Sequence, residues 1–167
     1  MKISIIFLFL SAMLFTSPII EEVRASFPNI NSKEKAEEFI EKLEGSKSTI
    51  GQAYLAAMYL FKSRYVFFPT TKYKYFKKGK QKLDDLIKNN PKNIELRYLR
   101  FVFQHQIPKF LNYNKNINED FLIFKTNINS SELDKNFKLK MLNEMLLVNN
   151  IESSIKNDIT NLLKNYQ

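Results

Sequence analysis

The sequence predicts an all-α fold, because glycine is scarce, apolar residues recur at helical spacing, and prolines stand at the ends of the apolar segments. The chain has three glycines and five prolines in 167 residues. A β sandwich or barrel needs many turns with positive φ angles, and three glycines supply few of them. The predicted architecture is a set of helical hairpins stacked as a short repeat-like array or bundle, with six to seven helices after a signal peptide.

An apolar segment at the start of the chain predicts export. Lys2 is followed by the run Ile3–Phe15, which matches the charge and length of a secretory signal peptide. With cleavage placed before Ser26, residues 1–25 are the predicted signal peptide and residues 26–167 a single α-helical domain. The expected location is therefore the periplasm or cell envelope.

Two alternatives for this leader stay open. The small residues Val23 and Ala25 suit a cut before Ser26, but they lie far beyond the apolar run, so a cut after Ser17 is the first alternative. The second is an uncleaved anchor, because Ile3–Ile20 approaches the length of a membrane-spanning helix. The chain has no cysteine, which excludes a disulfide framework and a lipid-modified amino-terminal cysteine.

Start and stop signals define the first four predicted helices of the domain. Asn31 or Ser32 caps the first helix, and Gly45 ends it. Apolar residues cover most of the second helix, which predicts a central position. Asn90-Pro91 ends the third helix, and the fourth is apolar on two faces, as expected for a helix packed between neighbours. The four predicted helices are Lys33–Glu44, Ile50–Tyr65, Lys72–Asn89 and Asn93–Gln106.

Three further helices complete the predicted domain. Pro108 ends the fourth helix, and a weak fifth helix follows a short connection. Ser131 stands three residues before Asp134, a spacing typical of a helix start. The sixth and seventh helices have apolar stripes at helical spacing and should form an αα-hairpin. Their predicted bounds are Asn118–Lys125, Glu132–Val148 and Ile151–Asn165.

The segment Phe76–Phe103 resembles part of a tetratricopeptide repeat. Its aromatic start is followed by Gly79, Leu83 and Leu86 and then by the closing Pro91, as in the second helix of such a repeat. The resemblance implies stacked helix pairs with a concave surface that takes a peptide or protein. Because Gly79 costs about 1 kcal/mol of helix propensity relative to alanine, we expect a close helix–helix contact at this position.

A second resemblance covers about a third of the chain. The segment Asn90–Arg100, followed by Gln104 and Ile107-Pro108, is similar to a small family of exported bacterial proteins. This likeness implies export and a helical fold, and it implies no activity.

No catalytic or metal-binding pattern stands out in the sequence. His105 is the only histidine, and without cysteine it cannot supply the three or four ligands of a zinc site. No serine stands in an elbow or triad context, and neither a glycine-rich phosphate loop nor an acidic calcium loop is found. The sequence therefore predicts a protein that is not an enzyme and that uses no cofactor or metal.

The net charge of +9 lies in the middle of the chain. Between Lys62 and Lys115, fourteen lysines or arginines stand against three acids. Such a concentration of positive charge favours an acidic partner. A solvated lysine face that keeps a small protein soluble would give the same composition.

A row of polar residues on the fourth helix is the predicted partner-binding site. Arg97, Arg100 and Gln104 share one face, and guanidinium groups bind carboxylate or phosphate bidentately. Lys77 and Lys80 of the third helix would add positive charge. The predicted function is an exported, non-catalytic helical scaffold that binds a protein or peptide partner at these five residues.

Two alternatives compete with that prediction. Each arginine could instead pair with an acid of a neighbouring helix, such as Asp84, Asp85 or Glu119. In the alternative function, the protein is a peripheral envelope protein that binds anionic lipid through the basic Lys62–Lys82 region.

Basic and aromatic residues alternate within that region, which allows two more interpretations. The alternation is typical of surfaces that stack single-stranded nucleic acid, although export makes this partner the less favoured one. In the structural interpretation, Tyr65, Phe67, Phe68 and Phe76 pack between the second and third predicted helices.

Overall fold

The computed structural model describes residues 17–166, and this range contains helices and no strands. The all-α prediction is therefore confirmed, with eight α-helices in the described range. Residues 1–16 of the predicted leader lie outside the described residues. The helices are α1 Pro18–Ser26, α2 Lys33–Leu43, α3 Thr49–Tyr65, α4 Pro69–Asn89, α5 Ile94–Gln106, α6 Ile117–Asn127, α7 Lys135–Leu146 and α8 Ser153–Lys164, with a 3₁₀ turn at Lys109–Leu111.

Side-chain caps and prolines fix where several helices begin. Ser32 caps α2, and its hydroxyl accepts a hydrogen bond from the Lys35 amide at 3.1 Å. Asn93 caps α5 in the same way. Pro69 stands in the first turn of α4, so this helix begins three residues earlier than predicted. Asp134 caps α7, which begins later than predicted.

The α3–α4 hairpin is the centre of the fold, as the apolar circumference of α3 predicted. Gly79 of α4 faces the backbone of α3 at close range. A Cβ atom on Gly79 would lie 2.6 Å from the carbonyl oxygen of Ala56 and 2.8 Å from Cγ of Leu60. Glycine is required here because the helices approach each other closely, which confirms the expected contact.

Helix α5 lies between neighbours on several sides. Every residue from Ile94 to Gln104 is buried, including the polar and charged ones. The helix contacts α3, α4, α6 and α7. Its four buried polar side chains must therefore find partners inside the protein.

The amino-terminal helix α1 also belongs to the core. Ile20 and Val23 are buried, and Phe27 just beyond the helix is in edge-to-face contact with four other aromatic rings. Among residues 17–166, no helix combines the length and the apolar character needed to cross a membrane.

Replacing Gly79 with alanine should destabilise the protein although alanine is the better helix former. The added methyl group meets the backbone of α3, which cannot move aside, so we expect a loss of about 1–2 kcal/mol in the free energy of unfolding. Urea denaturation followed by circular dichroism measures it. Gly45→Ala is the control, because no atom lies within 4 Å of its Cβ position. Equal stabilities of the two variants would contradict the close contact.

Candidate functional site

The predicted binding residues on α5 face the interior of the protein. Arg97, Arg100 and Gln104 are 4%, 6% and 3% exposed, and we call them the α5 polar row. All three converge on Asp120 in the first turn of α6, whose exposure is 0%. The three side chains therefore lie close together, as the sequence predicted, but they surround the Asp120 carboxylate of the same chain.

Four hydrogen bonds hold the Asp120 carboxylate. Its Oδ1 accepts from Nη1 of Arg97 at 2.8 Å and from Nη2 of Arg100 at 2.7 Å. Its Oδ2 accepts from Nε of Arg100 at 2.7 Å and from Nε2 of Gln104 at 2.6 Å. The Arg100 contact is bidentate, the strongest geometry that a guanidinium and a carboxylate can form.

Further acids complete the partners of the two arginines. Nη1 of Arg97 also contacts Oε1 of Glu119 at 2.7 Å, and Nη1 of Arg100 contacts Oδ1 of Asp84 at 3.2 Å. These are two of the acids that the sequence offered as structural partners, whereas Asp85 is exposed. Each side chain of the α5 polar row is thus engaged by acceptors within the protein.

The carboxylates change the titration of their partners. Burial alone would lower the pKa of Arg100, but the Asp120 and Asp84 carboxylates outweigh burial and raise it above its usual value. The hydrogen bond from Arg97 lowers the pKa of Glu119. Arg100 and Glu119 therefore both stay charged near neutral pH, and the ion pair that each forms persists at that pH.

The two predicted lysines lie on the α4 surface. Nζ of Lys80 contacts Oδ2 of Asp84 at 2.9 Å and lies 5.3 Å from the centre of the Tyr113 ring. Lys77 is exposed and stands beside Lys80. Lys80 therefore extends the ionic network of α5, and Lys77 faces solvent.

A groove of about 570 Å³ opens at another place, where the end of α3 meets the start of α4 and the Ile107–Leu111 segment. Pro108 and the 3₁₀ turn place the Phe110 ring at its edge. Its walls are mostly apolar, and we call it the aromatic groove. The apolar residues that line it include Leu60, Tyr73, Phe76, Ile107, Phe110 and Leu111.

Large aromatic side chains protrude around this groove. Phe67 and Phe110 are 89% and 83% exposed, and Phe68 and Tyr73 are also exposed. The packing interpretation of this region is correct for the buried Phe76 but wrong for Tyr65, Phe67 and Phe68, which are exposed. The sequence analysis did not distinguish the exposed rings from the buried one. The apolar stripe of α4 begins only at Phe76, and Phe67 and Phe68 stand before it.

The polar lining of the aromatic groove is positive. Arg64 and Lys72 contribute cations, and the lining contains no carboxylate. The guanidinium of Arg64 donates to Oε1 of Gln106, the one hydrogen-bond partner found for it among residues 17–166. Burial lowers the pKa of Arg64, the opposite of the shift at Arg100. Arg64 therefore offers a guanidinium with no carboxylate partner in the described part of the chain.

His105 lies in a separate polar cleft of about 470 Å³ near the end of α5. Its Nδ1 is 2.9 Å from the Phe101 carbonyl oxygen, and burial lowers its pKa. Glu152 also lines this cleft. No group of three or more metal-ligating side chains occurs within residues 17–166.

Comparisons with known proteins give no relative for this chain. No family model, no curated protein and no solved structure matches it. Its function must be argued from its own residues.

Replacing Asp120 with asparagine should strongly destabilise the protein. The substitution keeps the shape of the side chain but leaves two buried guanidinium groups without their shared counter-charge, so we expect a loss of about 3–5 kcal/mol. Urea denaturation measures the change.

The control for this prediction is Glu119→Gln on the same helix. Its side chain is 53% exposed, so its contact with Arg97 should contribute roughly 0–1 kcal/mol. If Asp120→Asn were no more destabilising than Glu119→Gln, the buried carboxylate would not organise this part of the fold.

Proposed function

We propose that the protein is an exported, non-catalytic helical scaffold whose aromatic groove binds an acidic peptide segment of a partner protein. The observation that carries this proposal is the composition of the groove: apolar walls, two cations and no carboxylate in the lining. The partner is still a protein or peptide, as predicted, and its binding site is the aromatic groove. The Arg97, Arg100 and Gln104 side chains serve the fold instead.

The size and chemistry of the groove suit a short peptide. Its volume of about 570 Å³ lies within the roughly 300–1,000 Å³ of ligand sites. Aromatic and arginine side chains dominate the energy of protein interfaces. Tyr73, Phe76 and Phe110 can contact an apolar anchor of the peptide, and Arg64 can bind a carboxylate beside it.

Charge complementarity favours an acidic partner. Lys62 is neutralised by Glu37, and Lys80 and both α5 arginines pair with acids of their own chain. Arg64, Lys72 and Lys77, in contrast, form no ion pair within residues 17–166. Arg64 and Lys72 line the groove, Lys77 lies on the same helix as Lys72, and these cations would attract an acidic segment.

The partial resemblance to a tetratricopeptide repeat supports the same class of function. Such helix pairs present surfaces that bind extended peptides and partner proteins. The α3–α4 hairpin, which supplies most of the groove, overlaps the segment with that resemblance.

Anionic lipid is the second candidate, favoured by the protruding rings of Phe67, Phe68 and Phe110. Exposed phenylalanines beside lysines can insert at a membrane interface while the cations contact headgroups. Lys74 and Lys77 on the exposed surface of α4 would serve that purpose.

Two synthetic probes distinguish these candidates. The first is a fluorescently labelled peptide that carries phenylalanine and leucine anchors between glutamates, with a matched peptide that has lysine at each glutamate position. The second is a vesicle containing phosphatidylglycerol, compared with a neutral phosphatidylcholine vesicle. We expect anisotropy to report binding of the acidic peptide only, and flotation to show little vesicle binding at physiological salt.

Phe110→Ser combined with Arg64→Gln should weaken acidic-peptide binding about tenfold or more, because each residue contacts one part of the ligand. Leu147→Ser is the control, since Leu147 is exposed but does not line the groove. Equal peptide affinity for all variants contradicts the groove as the site. Salt-sensitive flotation with anionic vesicles, lost in Phe67→Ser/Phe68→Ser, would favour the lipid candidate instead.

A further inference from the structure

Helix α1 lies within the segment that the sequence analysis assigned to the signal peptide. Its residues nevertheless contribute to the core of the domain: Ile20 and Val23 are buried against it. The Phe27 residue that follows α1 is tied to it by a hydrogen bond from its amide to the Val23 carbonyl oxygen at 2.8 Å, and its ring packs against Tyr54 at 6.0 Å and Tyr98 at 5.5 Å between ring centres. A leader that is removed has no need of such packing.

A buried ion pair ties α1 to α5. Nε of Arg24 donates to Oε1 of Glu95 at 2.8 Å, and Nη2 donates to Oε2 at 2.6 Å. The Tyr54 hydroxyl of α3 donates to the same Oε1 at 2.8 Å. The Arg24 guanidinium also lies 4.5 Å from the centre of the Phe137 ring of α7. The Arg24 side chain of α1 therefore contacts both α5 and α7, and its partner Glu95 is also bound by α3.

Glu95 depends on Arg24 for its charge balance. The Glu95 side chain is 1% exposed, and Arg24 is its one cationic partner among residues 17–166. Without Arg24 the carboxylate would keep only the Tyr54 hydroxyl as a hydrogen-bond donor. A buried charge that loses its counter-charge is strongly destabilising.

We propose that α1 remains on the exported protein and that any removal of the leader takes place before Pro18, not after Ala25. The step is the hydrolysis of one peptide bond, with one water added across it, in the segment that precedes α1. Pro18 then begins the folded domain at the first position of a helix, where proline is favoured. The inference rests on the predicted leader and is independent of the partner in the aromatic groove.

The amino terminus of the exported protein tests this directly. The full chain, with a carboxy-terminal affinity tag, is produced in a bacterial host, and the folded protein is analysed by intact mass and amino-terminal sequencing. A first residue at Pro18 or earlier, in protein recovered from the periplasm or cell envelope, supports the proposal. A folded, cooperatively unfolding protein that starts at Ser26, or anywhere within α1, overturns it.

Variants of the purified full-length chain test the physical reason. Arg24→Ala should lower the thermal midpoint by roughly 10 °C, because Glu95 loses its counter-charge. Adding Glu95→Gln to this variant should recover part of the loss, since the buried charge is removed. Arg64→Ala is the matched control, with an expected change of about 2 °C or less. If Arg24→Ala behaves like Arg64→Ala, α1 is not needed by the domain and the proposal fails.

Discussion

The buried carboxylate of Asp120 is the interaction on which the arrangement of this protein depends. It receives four hydrogen bonds from Arg97, Arg100 and Gln104, and it has no access to solvent. A buried acid of this kind is stable only while its partners are present and well oriented. Because these partners all come from α5, the carboxylate fixes the position of α6 against α5. The same contacts withdraw the two arginines from the surface.

A second buried ion pair acts on the other end of α5. Glu95 near its beginning binds Arg24 of α1 and Tyr54 of α3, while the α5 polar row binds Asp120 of α6. The four buried polar residues of α5 thus have hydrogen-bond partners at both ends of the helix. In this way α5 connects the amino-terminal part of the domain to its later helices. The groove at the α3–α4 junction, in contrast, is lined by two cations, Arg64 and Lys72, that form no ion pair within residues 17–166.

The local features of the fold followed from the sequence, and the long-range ones did not. Ser32 and the apolar stripes act within a few residues, so they predicted α2, α3 and α5 closely. The role of Asp120 depends on contacts across about twenty residues, and nothing in its neighbourhood distinguishes it from Glu119. The helical nature of Pro18–Ser26 was missed because this segment directly follows the apolar run and was assigned to the leader, although Glu21, Glu22 and Arg24 make it amphipathic. The aromatic groove was missed because its lining comes from three separate segments.

Arg97 and Arg100 are held in the interior of the protein, whereas the Arg64 guanidinium lies at the surface. The chain has four arginines, so the Nε–H signals of their side chains can be followed one by one in a ¹H–¹⁵N spectrum. We expect slowly exchanging signals for Arg24, Arg97 and Arg100, whose side chains are buried and whose Nε atoms donate hydrogen bonds within the protein, and a fast-exchanging signal for Arg64. Addition of the acidic peptide should shift the Arg64 signal and leave those of Arg97 and Arg100 in place. Fast exchange at Arg97 and Arg100, or shifts of their signals on peptide binding, would contradict this placement of the arginines.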